Sequence, residues 1–310
     1  MRHFTILVAL LSSVTYVAAH GYVSSVIADG QNQTGWLPFT DPYESPVPTR
    51  VIRKIPGNGP VYDVTNTDIA CNQGGNVGVD DTFEINAGSD MTFYWTAWPD
   101  SHKGPVTTFM ASCNGDCSTF TASDGQWFKI DQGGYTNGQW ASMKLLADGN
   151  QWTSTIPAGL ASGQYLVRYE IVALHNVGQP QYFPGCVQVT VNNGGADQPA
   201  ASELTSFPGM YNGYVWPNIY NDDLTKFVVA GPNVVSFADG SSSDRTTPSS
   251  SSVSSSVSSS SPGYSSTASP PSYTGTPANT NDTSTCMNKR NASKKRSLSA
   301  RRFHGRSSNH

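Results

Sequence analysis

Residues 164–174 read QYLVRYEIVAL, and residues 187–192 read VQVTVN. The second run alternates Val187, Val189 and Val191 with Gln188, Thr190 and Asn192, a period of two that buries one face of a strand. The first is longer and nearly continuous in apolar residues, the pattern of a central strand covered on both sides. Ile156-Pro157-Ala158-Gly159 leads into it, a turn that a helix would not tolerate. Working outward, Phe83-Glu84-Ile85 and Met91-Thr92-Phe93-Tyr94-Trp95 read as further strands, parted by an Ala87-Gly88-Ser89-Asp90 turn. No long window between residues 20 and 200 has the periodicity of an amphipathic helix. Many short strands joined by Gly, Pro and Asn loops predict an all-β fold, an immunoglobulin- or fibronectin-like antiparallel β-sandwich with long loops. The longest irregular stretch, 30–62, is rich in Pro; a loop of that length is either functional surface or disordered.

Composition divides the chain into four. Residues 4–18, FTILVALLSSVTYVA, form an apolar run behind Arg2 and His3 and end in the small-residue pattern Val17-Ala18-Ala19. This is a secretory signal, 1–19, too short for a permanent membrane span. Residues 20–239 hold all seven Trp and read as one globular domain, large enough for a real core. From residue 240 the chain turns Ser-rich, with SSSSVSSSVSSSSPGYSSTASPPS at 249–272, and 240–285 reads as a flexible, O-glycosylated linker. Residues 286–310 form a basic tail, expected to be disordered. Charge divides the same way: 20–239 carries eight Lys and Arg against twenty Asp and Glu, a net of −12, while 240–310 is basic. An acidic domain argues against a nucleic-acid partner. The expectation is a secreted, extracellular monomer, with sequons at Asn32, Asn281 and Asn291 for glycosylation.

Of five cysteines, Cys71, Cys113, Cys117 and Cys186 lie in the domain and Cys286 in the tail. Four paired cysteines in a secreted chain allow three connectivities. Cys113 and Cys117, in CNGDC, are close enough for a local staple, which leaves Cys71 with Cys186 closing a long loop worth about 4 kcal/mol. A zinc site at CNGDC is the rival; the oxidising route and the lack of partner cysteines count against it. Cys286 is left over, free or intermolecular.

The domain holds three histidines, His20, His102 and His175. Cleavage after Ala19 would give His20 a free α-amino group beside its own imidazole. With pKa values of about 8 and about 6.5, both nitrogens shed protons cheaply near neutrality. One residue then offers a bidentate nitrogen clamp, and His102, in the rigid loop Trp98-Pro99-Asp100-Ser101-His102-Lys103-Gly104-Pro105, offers a third nitrogen. A T-shaped three-nitrogen set suits copper, whereas zinc would want a fourth, tetrahedral ligand.

HGYV at the mature start, CN at 71–72, WPDSHKGPV at 98–106 and CNGDC at 113–117 together resemble one family, and WFKID at 127–131, YLVRYEIVALH at 165–175 and QYFPGC at 181–186 extend the match. The chain resembles the fungal lytic polysaccharide monooxygenases of auxiliary-activity family nine, once classed as glycoside hydrolases, over residues 20 to about 238. The resemblance implies a flat-faced β-sandwich carrying one exposed copper ion, Cu(II) or Cu(I), in a histidine brace of His20 and His102. It implies that His175 and Gln181 are the catalytic pair that hydrogen-bonds the oxygen reactant, and it matches the same disulfides, Cys71–Cys186 and Cys113–Cys117. The implied activity is oxidative cleavage of cellulose or a related β-1,4-glucan at C1, C4 or both, with O2 or hydrogen peroxide. An external electron donor, a small reductant or a cellobiose dehydrogenase-like protein, would serve it.

Two departures from the family pattern stand out. The run Gln181-Tyr182-Phe183-Pro184-Gly185-Cys186 puts Phe183 at the axial copper position, where the family usually has Tyr. Strand alternation agrees, since Gln181 and Phe183 share a face and Tyr182 points away; a local shift bringing Tyr182 to the metal is the alternative. Near the end, Ala230-Gly231-Pro232-Asn233-Val234-Val235 replaces the family's PGP and flat aromatic, leaving Tyr211, Tyr214, Trp216 and Tyr220 as platforms or as core. Three rival functions remain beside the monooxygenase: a glycoside hydrolase, a non-catalytic copper-binding protein and a pure carbohydrate-binding module. A glycoside hydrolase would need paired carboxylates and gives no reason for an N-terminal His. A non-catalytic secreted copper-binding protein would use the same brace but would not require His175 and Gln181.

Overall fold

The computed structural model describes residues 20–238. The 1–19 signal, the Ser-rich linker, the basic tail, Cys286, Asn281 and Asn291 lie outside the described residues. The strands are β1 (Val23–Ala28), β2 (Gln31–Thr34), β3 (Phe83–Asn86), β4 (Asp90–Trp95), β5 (Val106–Ser112) and β6 (Trp127–Gly133). They continue with β7 (Tyr135–Thr136), β8 (Gln139–Trp140), β9 (Gln151–Thr155), β10 (Gly163–Ala173), β11 (Gln181–Asn192) and β12 (Leu204–Thr205). The α-helices are short: α1 (Asp68–Cys71) and α2 (Ala141–Ala147). One sheet has the order β2-β1-β4-β9, the larger one β12-β6-β5-β10-β11-β3, and β7 with β8 forms a separate hairpin.

The sequence pattern explains the layering. Val23, Val26, Met91, Phe93 and Trp152 of the small sheet share one buried cluster with Val167, Tyr169, Ile171, Val187, Val189 and Val191 of the large one. That cluster is the sandwich core. The opposite face of the large sheet is also covered: Leu166, Val172 and Cys186 join Ile69, Phe207 and Tyr211 in a second cluster. Strand β10, paired with β5 on one side and β11 on the other, is therefore central and buried on both faces. A strand in that position can be apolar nearly throughout, as this one is.

The antiparallel expectation takes one amendment. Strand β3 pairs with β11 in parallel, from Phe83 with Val189 to Asn86 with Asn192. The 87–90 turn does not close a hairpin, because β3 lies in the large sheet and β4 in the small one. The chain crosses between sheets there, so β3 is free to run parallel to its neighbour at the sheet edge.

The 30–62 stretch is ordered and strapped down. Ile52 bridges Val187, and Val61 bridges Tyr182. Arg50 holds Asp41 through two bonds of 2.9 and 3.0 Å. The fully buried Arg53 guanidinium donates to the carbonyls of Gly75, Asn76, Cys117 and Phe120 and to Gln188 Oε1. Disulfides join Cys71 to Cys186 and Cys113 to Cys117. The second pairing leaves CNGDC no thiolates for zinc. Asn32 sits exposed on the edge strand β2. Among the described residues no helix is long and apolar enough to cross a membrane.

Candidate metal centre

Hydrogen bonds from neighbouring segments hold the backbone at His20, and bonds within its own loop hold His102. His20 precedes β1, where Tyr22 N donates to Thr96 Oγ1 at 3.0 Å and Thr96 N donates back to Tyr22 O at 2.8 Å. Asn58 Nδ2 caps the His20 carbonyl at 2.9 Å. His102 lies in the loop between β4 and β5; its N–H donates to Pro99 O, and its carbonyl accepts from Trp98 Nε1 at 3.0 Å. Gly104 lets this loop dock on β10, because a Cβ there would stand 1.8 Å from the Val172 carbonyl oxygen. Leu174 N then donates to Lys103 O at 2.8 Å, so the His102 loop and the end of β10 are one piece. His175 follows two residues past β10, and Gln181, paired with Ala173, opens β11.

These constraints bring the three histidine rings, Phe183 and Trp98 together. The His20 and His102 rings lie 5.1 Å apart at 75°. The His102 and His175 rings stack at 3.8 Å. Phe183 lies 5.2 Å from the His20 ring and 5.0 Å from Trp98, which packs edge-on against His102. Tyr62 Oη accepts from Gln181 Nε2 at 3.4 Å.

The electrostatics suit a cation that binds neutral nitrogen. Burial first, then the neighbouring His175 and His20, pulls the His102 imidazole down to about 4. Burial and His20 lower His175 as well. Both rings are therefore uncharged at neutral pH and keep a lone pair. Ser101 Oγ stands 3.0 Å from His102 Nδ1, while His102 Nε2 is buried without a partner. His175 Nδ1 and Gln181 Oε1 are likewise buried and unpartnered. An orphaned ring nitrogen beside a second histidine is what a nitrogen-bound metal would satisfy. Among the described residues no group of three His, Cys, Asp or Glu side chains could hold a metal. A brace needs only two imidazoles, since its third donor is an α-amino nitrogen. The residues fit copper in that form.

The remaining aromatic residues sort clearly. Tyr182 belongs to the outer cluster, packed on Tyr211 at 4.7 Å and accepting from Trp216 Nε1 at 2.7 Å. It is Phe183 that lies against His20. Tyr211 is core, and its hydroxyl donates to the buried Glu170. Trp216 and Tyr214 pack partly buried on the same cluster. Of the four proposed platforms only Tyr220 is largely exposed, and its hydroxyl donates to the His175 carbonyl at 3.1 Å. The Val234-Val235 segment lies on β6, where Val234 bridges Lys129. Asn58 and Tyr62 touch the site, and the sequence did not single them out. Their signal is Gly57-Asn58-Gly59-Pro60 inside the long loop: a turn that brings side chains back to the N-terminus.

At one end of the β-sandwich the buried His102 ring lies between the half-buried rings of His20 and His175. The family model of Auxiliary Activity family 9, formerly GH61, matches residues 20–226, and the chain belongs to that family. It is 46% identical to AA9 family lytic polysaccharide monooxygenase A of Gloeophyllum trabeum, over 76% of this chain and 78% of the relative. It is 40% identical to AA9 family lytic polysaccharide monooxygenase A of Geotrichum candidum, over 76% and 83%. The crystal structure of HiLPMO9B superposes with a TM-score of 0.61 at 35% identity, covering 69% of this chain and 99% of that one. A cellulose-active polysaccharide monooxygenase from M. thermophila gives 0.62 at 30% identity, covering 69% and 98%. Family and fold together support an oxidative enzyme, a lytic polysaccharide monooxygenase.

Proposed function

We propose that the chain is a secreted, copper-dependent monooxygenase that cleaves β-1,4-glucan at C1, C4 or both, using O2 or hydrogen peroxide and an external electron donor. The observation that carries this reading is the buried, unpartnered His102 Nε2 beside the His20 ring. The α-amino group and imidazole of His20, with His102 Nε2, would hold the metal. Copper bound there would supply one-electron redox chemistry and oxygen activation. His175 and Gln181 each keep a polar atom uncommitted, free to hydrogen-bond an oxygen-bearing reactant and to hold its proton. Phe183 brings no oxygen to the His20 ring, so that side of the site is apolar and shielded from water. In this reading 1–19 is removed, 20–239 acts as a monomer, and 240–285 with 286–310 forms a linker and tail.

The test uses protein beginning at His20, loaded with one copper and mixed with amorphous cellulose, ascorbate and O2. Mass spectrometry should find aldonic acids or 4-keto sugars that are absent with His102→Ala. Hydrolytic products without reductant would support a glycoside hydrolase instead. Copper binding with no oxidised product from any β-1,4-glucan would leave the copper-binding protein.

A further inference from the structure

Residues 31–34 read QNQT, and Asn32-Gln33-Thr34 is the one glycosylation sequon between residues 20 and 238. The fold puts it on an edge. Strand β2 pairs with β1 and has no strand on its other side. Asp29 and Gly30, at positive φ of 50° and 72°, make the two-residue turn that joins the strands. The turn sets Gln31 against Ala28 and Asn32 against Ile27. In that register Gln31 and Gln33 bond their backbone to β1, while the N–H and C=O of Asn32 and Thr34 face outward. The free backbone groups of β2 therefore belong to the two residues that define the sequon.

Native proteins blunt edge strands with charge, proline or a bulge, or by keeping them short. QNQT has no charge and no proline, and its pairing with β1 runs without a shift in register. Its shortness is its one protection. The sheet face beside it is no better guarded. Val26 and Ala28 are buried, so Ile27 and Asn32 lie on the outer face, in a rung that continues through Thr92 and Thr153. The next rung is Thr34, Ser25, Tyr94 and Gln151, and neither rung holds a charge. A bulky, hydrated oligosaccharide on the exposed Asn32 would cover this face and the free backbone groups together. It would stand clear of the metal centre, since at about 3.3 Å per residue Ile27 is roughly 20 Å along the strand from His20.

We infer that Asn32 carries an N-linked glycan that caps the open edge of the small sheet and keeps the chain monomeric. In its attachment Asn32 Nδ2 bonds to the anomeric carbon of an oligosaccharide carried on a lipid diphosphate. The bond from that carbon to the phosphate oxygen breaks, the diphosphate leaves with the electron pair, and Nδ2 loses one proton. The inference rests on the reading of 1–19 as a secretory signal and on nothing at the metal.

The test uses the full chain recovered from the medium of a fungal host. Peptide mass spectrometry should find a glycan on Asn32, and sedimentation should show a monomer. Asn32→Gln and Thr34→Ala, which delete the sequon, should self-associate at least about tenfold more tightly. The folded parent should do the same once its glycan is removed enzymatically. Thr34→Ser keeps the sequon and should stay glycosylated and monomeric; Asn32→Lys puts a charge on the edge instead and should stay monomeric without a glycan. A bare Asn32 in the secreted parent would overturn the inference. So would a deglycosylated parent that associates no more than the glycosylated one, or an Asn32→Lys variant that associates as Asn32→Gln does.

Discussion

The large sheet and the loops at its end bury polar groups in two places and treat them in opposite ways. On the outer face of the large sheet, Arg168 and Glu170 are fully buried and every charge is answered. Arg168 donates to Glu170 at 2.7 and 3.1 Å and to the carbonyls of Ile69 and Ala70, both at 2.8 Å, and Tyr211 donates to Glu170. At the strand ends by His20, the side chains of His102, His175 and Gln181 hold three of the six buried, unpartnered side-chain polar atoms among the described residues. Each such atom costs about 1–3 kcal/mol in a protein that gains nothing from it. Strand β10 can satisfy a buried charge, whereas the open nitrogens of His102 and His175 stand together beside His20. One region holds the fold together, and the other is kept ready to bind.

The comparison breaks first at its structural half. Glu170→Ala should lower stability by about 3–5 kcal/mol, because it strands the Arg168 charge in the interior. Urea denaturation would measure the loss, and the folded fraction should still bind copper as the parent does. A change under about 1 kcal/mol would mean the pair is not the anchor described.

Next comes the pH response of the metal-free protein. His102 titrates near 4 when folded and near 6.5 when unfolded. Between those values the unfolded chain binds more protons, so stability is full above pH 6.5 and falls as pH drops toward 4. Solvent screening reduces the loss attributable to this ring to below about 3 kcal/mol. His102→Asn should flatten that limb of the stability–pH curve, and an unchanged slope would contradict the burial argument.

A smaller effect separates binding from chemistry inside the site itself. Gln181→Leu fills a similar volume and removes the uncommitted oxygen. Oxidation rate should fall about tenfold, about 1.4 kcal/mol of barrier, while copper affinity holds. Equal losses in both would make Gln181 part of the metal's support.

The central strand, the valine alternation and the sandwich were legible because burial writes itself as periodicity. QYLVRYEIVAL shows a strand covered twice, and the same alternation sends Phe183 to one face and Tyr182 to the other. His20, His102 and His175 were legible as the three histidines of the domain, Gln181 only through the family resemblance, and the fold brings the three histidine rings together. The parallel pairing of β3 was not, since a turn in sequence does not say which sheet the next strand joins. Nor did the sequence separate Tyr211 from Tyr220: both are tyrosines in one loop-rich segment, one bonded inside to Glu170 and one left outside. Asn58 and Tyr62 were missed because the Gly57-Asn58-Gly59-Pro60 turn marks a bend in the chain but not the distant residues that the bend brings it against.

The most direct measurement of the brace is a copper titration of two proteins, one starting at His20 and one carrying a single Gly ahead of it. The extension keeps every side chain and removes only the α-amino donor from His20. The native start should bind one copper per chain, and the extended form should bind it about a hundredfold more weakly, about 2.7 kcal/mol. Equal affinity in the two proteins would contradict the brace and with it the proposed chemistry.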